Sequence, residues 1–220
     1  MAKRPDVVAD LTPKARRPPG PAPTYTPAEE RKMMINAAYR VLARQPGTVS
    51  VNDILAEAAL STRSFYRQFR SKSELFLAMI EAESDRMVGE LNRRLSTAAD
   101  PKAALIEWID QHLELCYEPK RRRRFHIMLT PEVVRSPGYA AAQLRLGARQ
   151  CEPLVTILKD GAADHTFRST QPEVDAAKIY DLVLSMVMRA HEDADPTDAD
   201  IERTQLLDFI GRAVGVADPG

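Results

Sequence analysis

Apolar side chains recur along this chain at intervals of three and four residues, and proline marks most of the points where the recurrence restarts. Met34, Ile35, Ala38, Val41 and Leu42 form one stripe between Thr26-Pro27-Ala28-Glu29 and Gln45-Pro46-Gly47. That pattern predicts a helix with an N-cap, a first-position proline and a capping-box glutamate, ending near Arg44. Val51, Ile54, Leu55 and Ala58 make a shorter stripe behind Ser50, which pairs with Asp53 as a second capping box. Ser61 to Phe69 then predicts a short helix with a small apolar footprint, chiefly Phe65 and Phe69. Ser71-Lys72-Ser73-Glu74 caps the next helix. No proline occurs between Pro46 and Pro101, so this fourth helix runs to about Ser96 along Leu75, Phe76, Met79, Ile80, Met87, Leu91 and Leu95.

The rest of the chain repeats this grammar. Asp100-Pro101 opens a helix carrying Leu105, Trp108, Ile109, His112, Leu115 and Cys116 on one face. A helix from Arg121 to about Leu129 follows Pro119, and a longer one from about Gly138 to Lys159 is expected to bend at Pro153. Thr170-Gln171-Pro172-Glu173 starts a helix to about His191, and Asp195-Pro196 starts the last, to about Val214. Nothing alternates with the two-residue period of a strand, so the expected fold is all-α.

The short helix from Ser61 to Phe69 is chemically distinct. Its outward face is Thr62, Arg63, Ser64, Tyr66, Arg67 and Gln68, a dense row of hydrogen-bonding groups on a helix that buries little. Such a helix suits a DNA groove, and the helix N-terminus at Ser71 with Lys72 suits a phosphate beside it. Charge agrees. The 220 residues balance 31 Lys/Arg against 31 Asp/Glu, but residues 1–75 hold 13 basic and 7 acidic residues, leaving 18 and 24 for the remainder. A basic front on an acidic body is expected when one end meets phosphate.

These residues also resemble a known family. The order Ile54, Ala58, Leu60, Ser61, Phe65-Tyr66, Phe69, Lys72, Leu75 is similar to the DNA-binding domain of tetracycline-repressor (TetR) regulators, over roughly Thr26 to Met79. One position departs from the family habit: Ala59 stands in the turn where Gly is usual, and a left-handed Ala costs about 1 kcal/mol. The resemblance implies a three-helix helix-turn-helix domain (26–75) joined by the long fourth helix to a helical effector-binding and dimerisation domain (76–220). It implies a homodimer on double-stranded operator DNA, most often a repressor, released by a small-molecule effector.

Within that frame Thr62, Arg63 and Arg67 are placed at base edges, since Arg grips guanine O6 and N7 in bidentate fashion. Ser50, Ser61, Ser64, Tyr66, Gln68 and Lys72 are placed at phosphates by position in the pattern, and Ser50, Ser61 and Ser71 serve equally as caps. The family places an effector cavity among the body helices. Trp108, His112, Cys116, Tyr117, Phe125, His126, Met128, Cys151, Tyr180 and Met186 are its candidates here, each with core packing as the alternative. The last two helices of the family pair with a second subunit, for which Ile179, Leu182, Val183, Met186, Ile201, Leu206, Phe209 and Ile210 are the expected contacts.

Other chemistry is sparse. His112 and Cys116 share a helix face and could share a metal with His126 or Cys151, but two ligands at helical spacing fit core packing better. No metal or cofactor is expected; the alternative readings are a thiol- or metal-responsive regulator using Cys116, Cys151 and His112, or a binding protein on the same scaffold. No Ser/His/Asp set, Gly-rich phosphate loop or paired-carboxylate motif points to an enzyme. Two cysteines make no disulfide framework. The longest apolar run, Val183–Met188, is far below membrane-spanning length, and no signal-peptide core precedes the domain, so a cytoplasmic protein is expected. Two segments stay open. Residues 1–25 hold six of the sixteen prolines and five basic residues, which fits a solvated tail or a minor-groove arm. The run Lys120-Arg121-Arg122-Arg123-Arg124 is either a solvated helix start or a partner for nearby carboxylates.

Overall fold

A computed structural model of the protein describes residues 25–44, 47–168, 171–193 and 199–216. The basic, proline-rich segment 1–25 lies outside the described residues except for Tyr25. Among the described residues every regular element is helical: α1 Pro27–Arg44, α2 Val51–Ala58, α3 Thr62–Gln68, α4 Lys72–Leu95, α5 Pro101–Tyr117, α6 Pro119–Met128, α7 Pro131–Val134, α8 Tyr139–Ala163, α9 Pro172–Asp193 and α10 Ala199–Val214.

Local chemistry sets the helix starts. Glu29 accepts from the Thr26 amide at 2.7 Å while the Glu29 amide donates to Thr26 Oγ1 at 3.3 Å. Ser50 and Asp53 close the same reciprocal loop before α2, at 3.2 and 2.9 Å. Ser61, Ser71 and Asp100 cap α3, α4 and α5 through the amide three residues on. Ala59 ends α2 in the left-handed region (φ 53°, ψ 40°), the conformation required by the turn into α3. Pro153 lies inside α8, which continues past the expected end at Lys159 to Ala163. There the chain doubles back: the Phe167 amide donates to Gly161 O at 2.8 Å, and its ring lies where a Cβ on Gly161 would stand 2.1 Å away.

Two apolar cores divide the molecule along α4. The first joins α1, α2, α3 and the N-terminal half of α4 around Met34, Ile54, Phe65, Phe69, Phe76 and Met79, and it takes in Ile127, Met128 and Val133 from α6 and α7. It therefore extends beyond residue 75, through Ile80. The second joins the C-terminal half of α4 to α5, α8, α9 and α10 around Leu91, Trp108, Ile109, Leu154, Leu158 and Val183. At 24 residues, α4 is about 36 Å long, and it contributes buried residues to both cores, as α8 does through Ala142 on one side and Leu154, Ile157 and Leu158 on the other.

Candidate nucleic-acid interface and ligand cavity

α3 buries Phe65 completely and holds Phe69 behind it, and most of its other side chains face away from the core. Ser61, Thr62, Arg63, Tyr66 and Arg67 are exposed, as is Ser50 at the start of α2. Tyr66 is 62% exposed, an aromatic ring left in solvent at the end of a basic helix. Three donors of the set are engaged by the protein's own acceptors. Arg67 pairs with Glu30 of α1, Gln68 Nε2 donates to Pro27 O at 3.0 Å, and Lys72 Nζ donates to Val49 O at 2.7 Å and pairs with Glu132 of α7. Ser64 is a correction to the expected phosphate contacts. It is buried, with Oγ 3.1 Å from Ser61 Oγ and 3.3 Å from Glu30 Oε1, because its position on α3 faces α1 rather than solvent.

The basic run of α6 is tied to α4 and α5. Arg124 pairs with Glu83 at 3.0 Å, while Arg121 pairs with Glu90 and reaches Glu114 at 3.1 Å. Glu83 also pairs with Arg86, and Arg94 joins Glu90 and Glu114 at 3.2 and 2.8 Å. Burial pushes the Glu90 carboxyl up, but Arg121 and Arg94 outweigh it and leave it below the usual carboxylate range. Arg124 also lies 4.3 Å over the ring of Tyr39 on α1, whose hydroxyl sits 3.4 Å from both Met79 O and Met128 Sδ. Burial, then the charge of Glu83, pushes the Tyr39 hydroxyl well above its ordinary value. Tyr39 thus joins α1 to the two helices that meet beneath it.

Beside this junction is a cavity of about 670 Å³ between α4, α5, α6, α8 and α9, within the usual size range of small-molecule sites. Its walls are mainly apolar, including Ile80, Met87, Leu115, Phe125 and Leu184, with Glu83, His112, Gln143, Gln150 and Tyr180 as polar members. Gly147 lets the Tyr180 ring lie against α8, since a Cβ there would stand 3.3 Å from it. Burial pushes the Tyr180 phenol up to about 12 and the His112 imidazole down to about 4, so both are neutral near pH 7.

Residues 34–79 match the family described as "Bacterial regulatory proteins, tetR family". That stretch is the DNA-binding domain of a TetR-type regulator. The match runs from Met34 in α1 through α2 and α3 to Met79 in α4. Solved structures of similar fold extend over the body as well. SmeT, described as the repressor of the Stenotrophomonas maltophilia multidrug efflux pump SmeDEF, shares 21% identity over 86% of this chain and 91% of its own, at TM-score 0.68. A SmeT–triclosan complex aligns over 87% and 93% at 19% identity and TM-score 0.71, and the reduced form of Escherichia coli NemR over 87% and 100% at 19% and 0.67. No curated protein sequence matches the chain.

In the body the expected effector residues separate into two groups. His112, Phe125, Met128 and Tyr180 line the cavity. Trp108, Cys116, Tyr117, His126, Cys151 and Met186, also expected at the effector, do not line this cavity. Trp108 and Cys116 are sealed in the second core, Tyr117 pairs with Glu202, His126 lies 3.0 Å from His191 on the outside, and Met186 packs on the second core. Cavity members that the sequence did not flag include Glu83, Gln143 and Gln150; their signal was a polar side chain on an otherwise apolar helix face. The expected dimer contacts separate likewise. Ile179, Val183, Leu206 and Ile210 are buried within the chain because they are the stripes by which α9 and α10 pack on α5 and α8. Ile201 and Phe209 are 57% and 54% exposed, and Leu182 and Met186 are half-buried.

Neither cysteine is a prepared thiolate. Cys116 Sγ donates to Val187 O at 3.3 Å and burial pushes it up to about 11; Cys151 is also raised by burial. Among the described residues no three His, Cys, Asp or Glu side chains gather as a metal site, and no helix is long and apolar enough to cross a membrane.

Proposed function

We propose that the protein is a homodimeric transcription repressor that binds double-stranded operator DNA through α3 of each subunit and is released by a small-molecule effector in the body cavity. The carrying observation is that one helix pair, α4 and α6, both walls the cavity and holds Tyr39 of the DNA-binding domain. A ligand that displaces α6 against α4 acts on α1 directly, and through α1 on α3.

Thr62, Arg63 and Arg67 are proposed at base edges, with Ser50, Ser61, Tyr66, Gln68 and Lys72 at phosphates. Arg67 and Lys72 would exchange Glu30 and Glu132 for DNA. For the second subunit, Val174 and Met188 of α9 with Ile201 and Phe209 of α10 are the exposed apolar positions, flanked by Leu182 and Met186. Repression is supported by analogy with SmeT, and the triclosan complex of SmeT is the precedent for a small-molecule ligand on this fold. The thiol-responsive alternative has no comparable support, given the buried, neutral Cys116.

Selection of bound sequences from a random DNA pool, followed by sedimentation of the complex, tests this reading. A two-fold symmetric site with half-sites about 34–36 Å apart and one dimer bound is expected. Enrichment of an asymmetric site by a monomer would overturn it.

A further inference from the structure

The polar atoms in the cavity specify more than its volume does. His112 Nδ1 lies 2.7 Å from Trp108 O, and a carbonyl can only accept, so Nδ1 carries the ring proton. In the neutral ring Nε2 is then an acceptor, and it is buried without a hydrogen bond. Gln150 is 1% exposed, and both its Nε2 donor and its Oε1 acceptor are buried without partners. Both residues line the cavity and both are held by Trp108, whose carbonyl accepts from His112 Nδ1 and whose indole N–H donates to Gln150 O at 3.0 Å. Leaving such groups unsatisfied is costly, so native interiors leave few of them.

Resting on the reading of this cavity as the effector site, we propose that its ligand is an uncharged, largely apolar molecule bearing one group that both donates and accepts a hydrogen bond. A phenol or alcohol hydroxyl is the simplest such group. It donates to His112 Nε2 and accepts from the Gln150 amide, while the body of the molecule lies against Met87, Leu115, Phe125 and Leu184.

Charge selects against ions of either sign. Among the described residues no Lys or Arg lines the cavity, and the carboxylates there are Glu83 and Asp181, so a buried anion would meet no lining cation and two like charges. His112 does not supply the missing positive charge, because burial keeps it neutral down to about pH 4. A cation would find Glu83 already paired with Arg86 and Arg124, and Asp181 exposed to solvent rather than buried in the cavity. A hydroxyl supplies a donor to His112 Nε2 and an acceptor to the Gln150 Nε2 amide, whereas an ether can only accept and leaves His112 Nε2 unserved.

Four probes sharing one biphenyl body test this on the full chain: 4-phenylphenol, 4-methoxybiphenyl, biphenyl-4-carboxylate and 4-phenylbenzylammonium. Binding is read by titration calorimetry and by emission of the sole tryptophan, Trp108, whose ring centroid is 4.0 Å from that of His112. The phenol should bind at least roughly tenfold more tightly than the ether and than either ion, as one buried hydrogen bond requires. His112→Phe should remove most of the advantage of phenol over ether while leaving ether binding in place, whereas Gln150→Leu should weaken phenol and ether alike by removing the donor that both oxygens share. Equal binding of phenol and ether, tightest binding of an ion, or binding of none of the four would overturn the proposal. If His112→Phe does not fold, the wild-type series and Gln150→Leu still decide. No DNA is needed for these measurements. Phenol selectivity without any effect on DNA affinity would therefore remove the effector reading and keep the ligand class, whereas effector-dependent release without selectivity would do the reverse.

Discussion

The two cores of this protein treat buried polarity differently. In the first, polar side chains that enter the interior are answered there: Ser64 by Glu30 and Ser61, and Tyr39 by Met79 and Met128. In the second, His112 Nε2, Gln111 Oε1 and both amide atoms of Gln150 have no partner, and His112 and Gln150 face a cavity. A sealed, satisfied core keeps α3 at a fixed angle whether or not DNA is present. A core with unanswered polar atoms is lower in free energy once something else enters it, and an effector-controlled protein needs that property.

Truncating one large side chain in each core gives the largest test of this contrast. Phe65 is fully buried at the foot of α3, so Phe65→Ala should cost about 3–5 kcal/mol and abolish DNA binding through loss of the domain. Leu184 already borders empty space, so Leu184→Ala should cost about 1 kcal/mol or less, since little new cavity forms. Chemical denaturation of both variants checks it; equal losses would mean that the cavity wall is packed as tightly as the first core.

Next in size is the division of the DNA-facing side chains. Arg67→Ala should lose about 1–3 kcal/mol per base contact and relax preference at one position of each half-site. Its pairing with Glu30 is half-exposed, so unfolding stability should change by about 1 kcal/mol at most. Lys72→Ala should instead weaken binding to all sequences and lower the salt slope by about 0.9 per lost phosphate contact. Competition binding against a library of single-base variants, at two salt concentrations, separates the two behaviours.

Much of the first core was legible in the sequence because local rules determine it. Thr26-Glu29, Ser50-Asp53 and Ser61 are caps whose partners lie three residues away, and Ala59 takes the left-handed turn that its position implies. The body was legible only as helices. Periodicity identifies an apolar face but not what covers it, so Val183 and Ile210 read as dimer contacts although α5 and α8 already bury them. The cavity was hidden for the same reason. Gln143, Gly147, Gln150, Leu154 and Ile157 form a single stripe of α8, and only the packing of α4 and α9 against it makes the first three a cavity wall and the last two core.

A smaller effect sits where the two regions touch. Glu132 of α7 holds Lys72, so the body competes with phosphate for a cation of the DNA-binding domain. Glu132→Gln removes that competitor and keeps the volume. Affinity for both specific and random DNA should rise several-fold at low salt, on the scale of one partly exposed ion pair of up to about 1 kcal/mol. Anisotropy titrations with both DNAs check this, and an unchanged affinity would show that Lys72 serves phosphate without leaving Glu132.

The smallest expected effect belongs to the turn. Ala59 holds φ 53° and ψ 40°, where its Cβ crowds the backbone at a cost of about 1–2 kcal/mol. Its amide is committed to Leu55 and Ala56 carbonyls, so the turn cannot relax to a negative φ without losing those bonds. Glycine would relieve the crowding, but it adds about 0.4–1 kcal/mol of unfolded-chain entropy. The two terms oppose each other, and the balance favours Ala59→Gly by roughly 0.5 kcal/mol. Because Ala58 and Phe65 on either side of the turn belong to the first core, the gain should appear in the unfolding of that core. The cavity-lined second core should be unaffected. Hydrogen exchange resolves the two: added protection confined to α1–α3 is the expected result, and added protection across α8 and α9 would mean that the cores unfold as one unit.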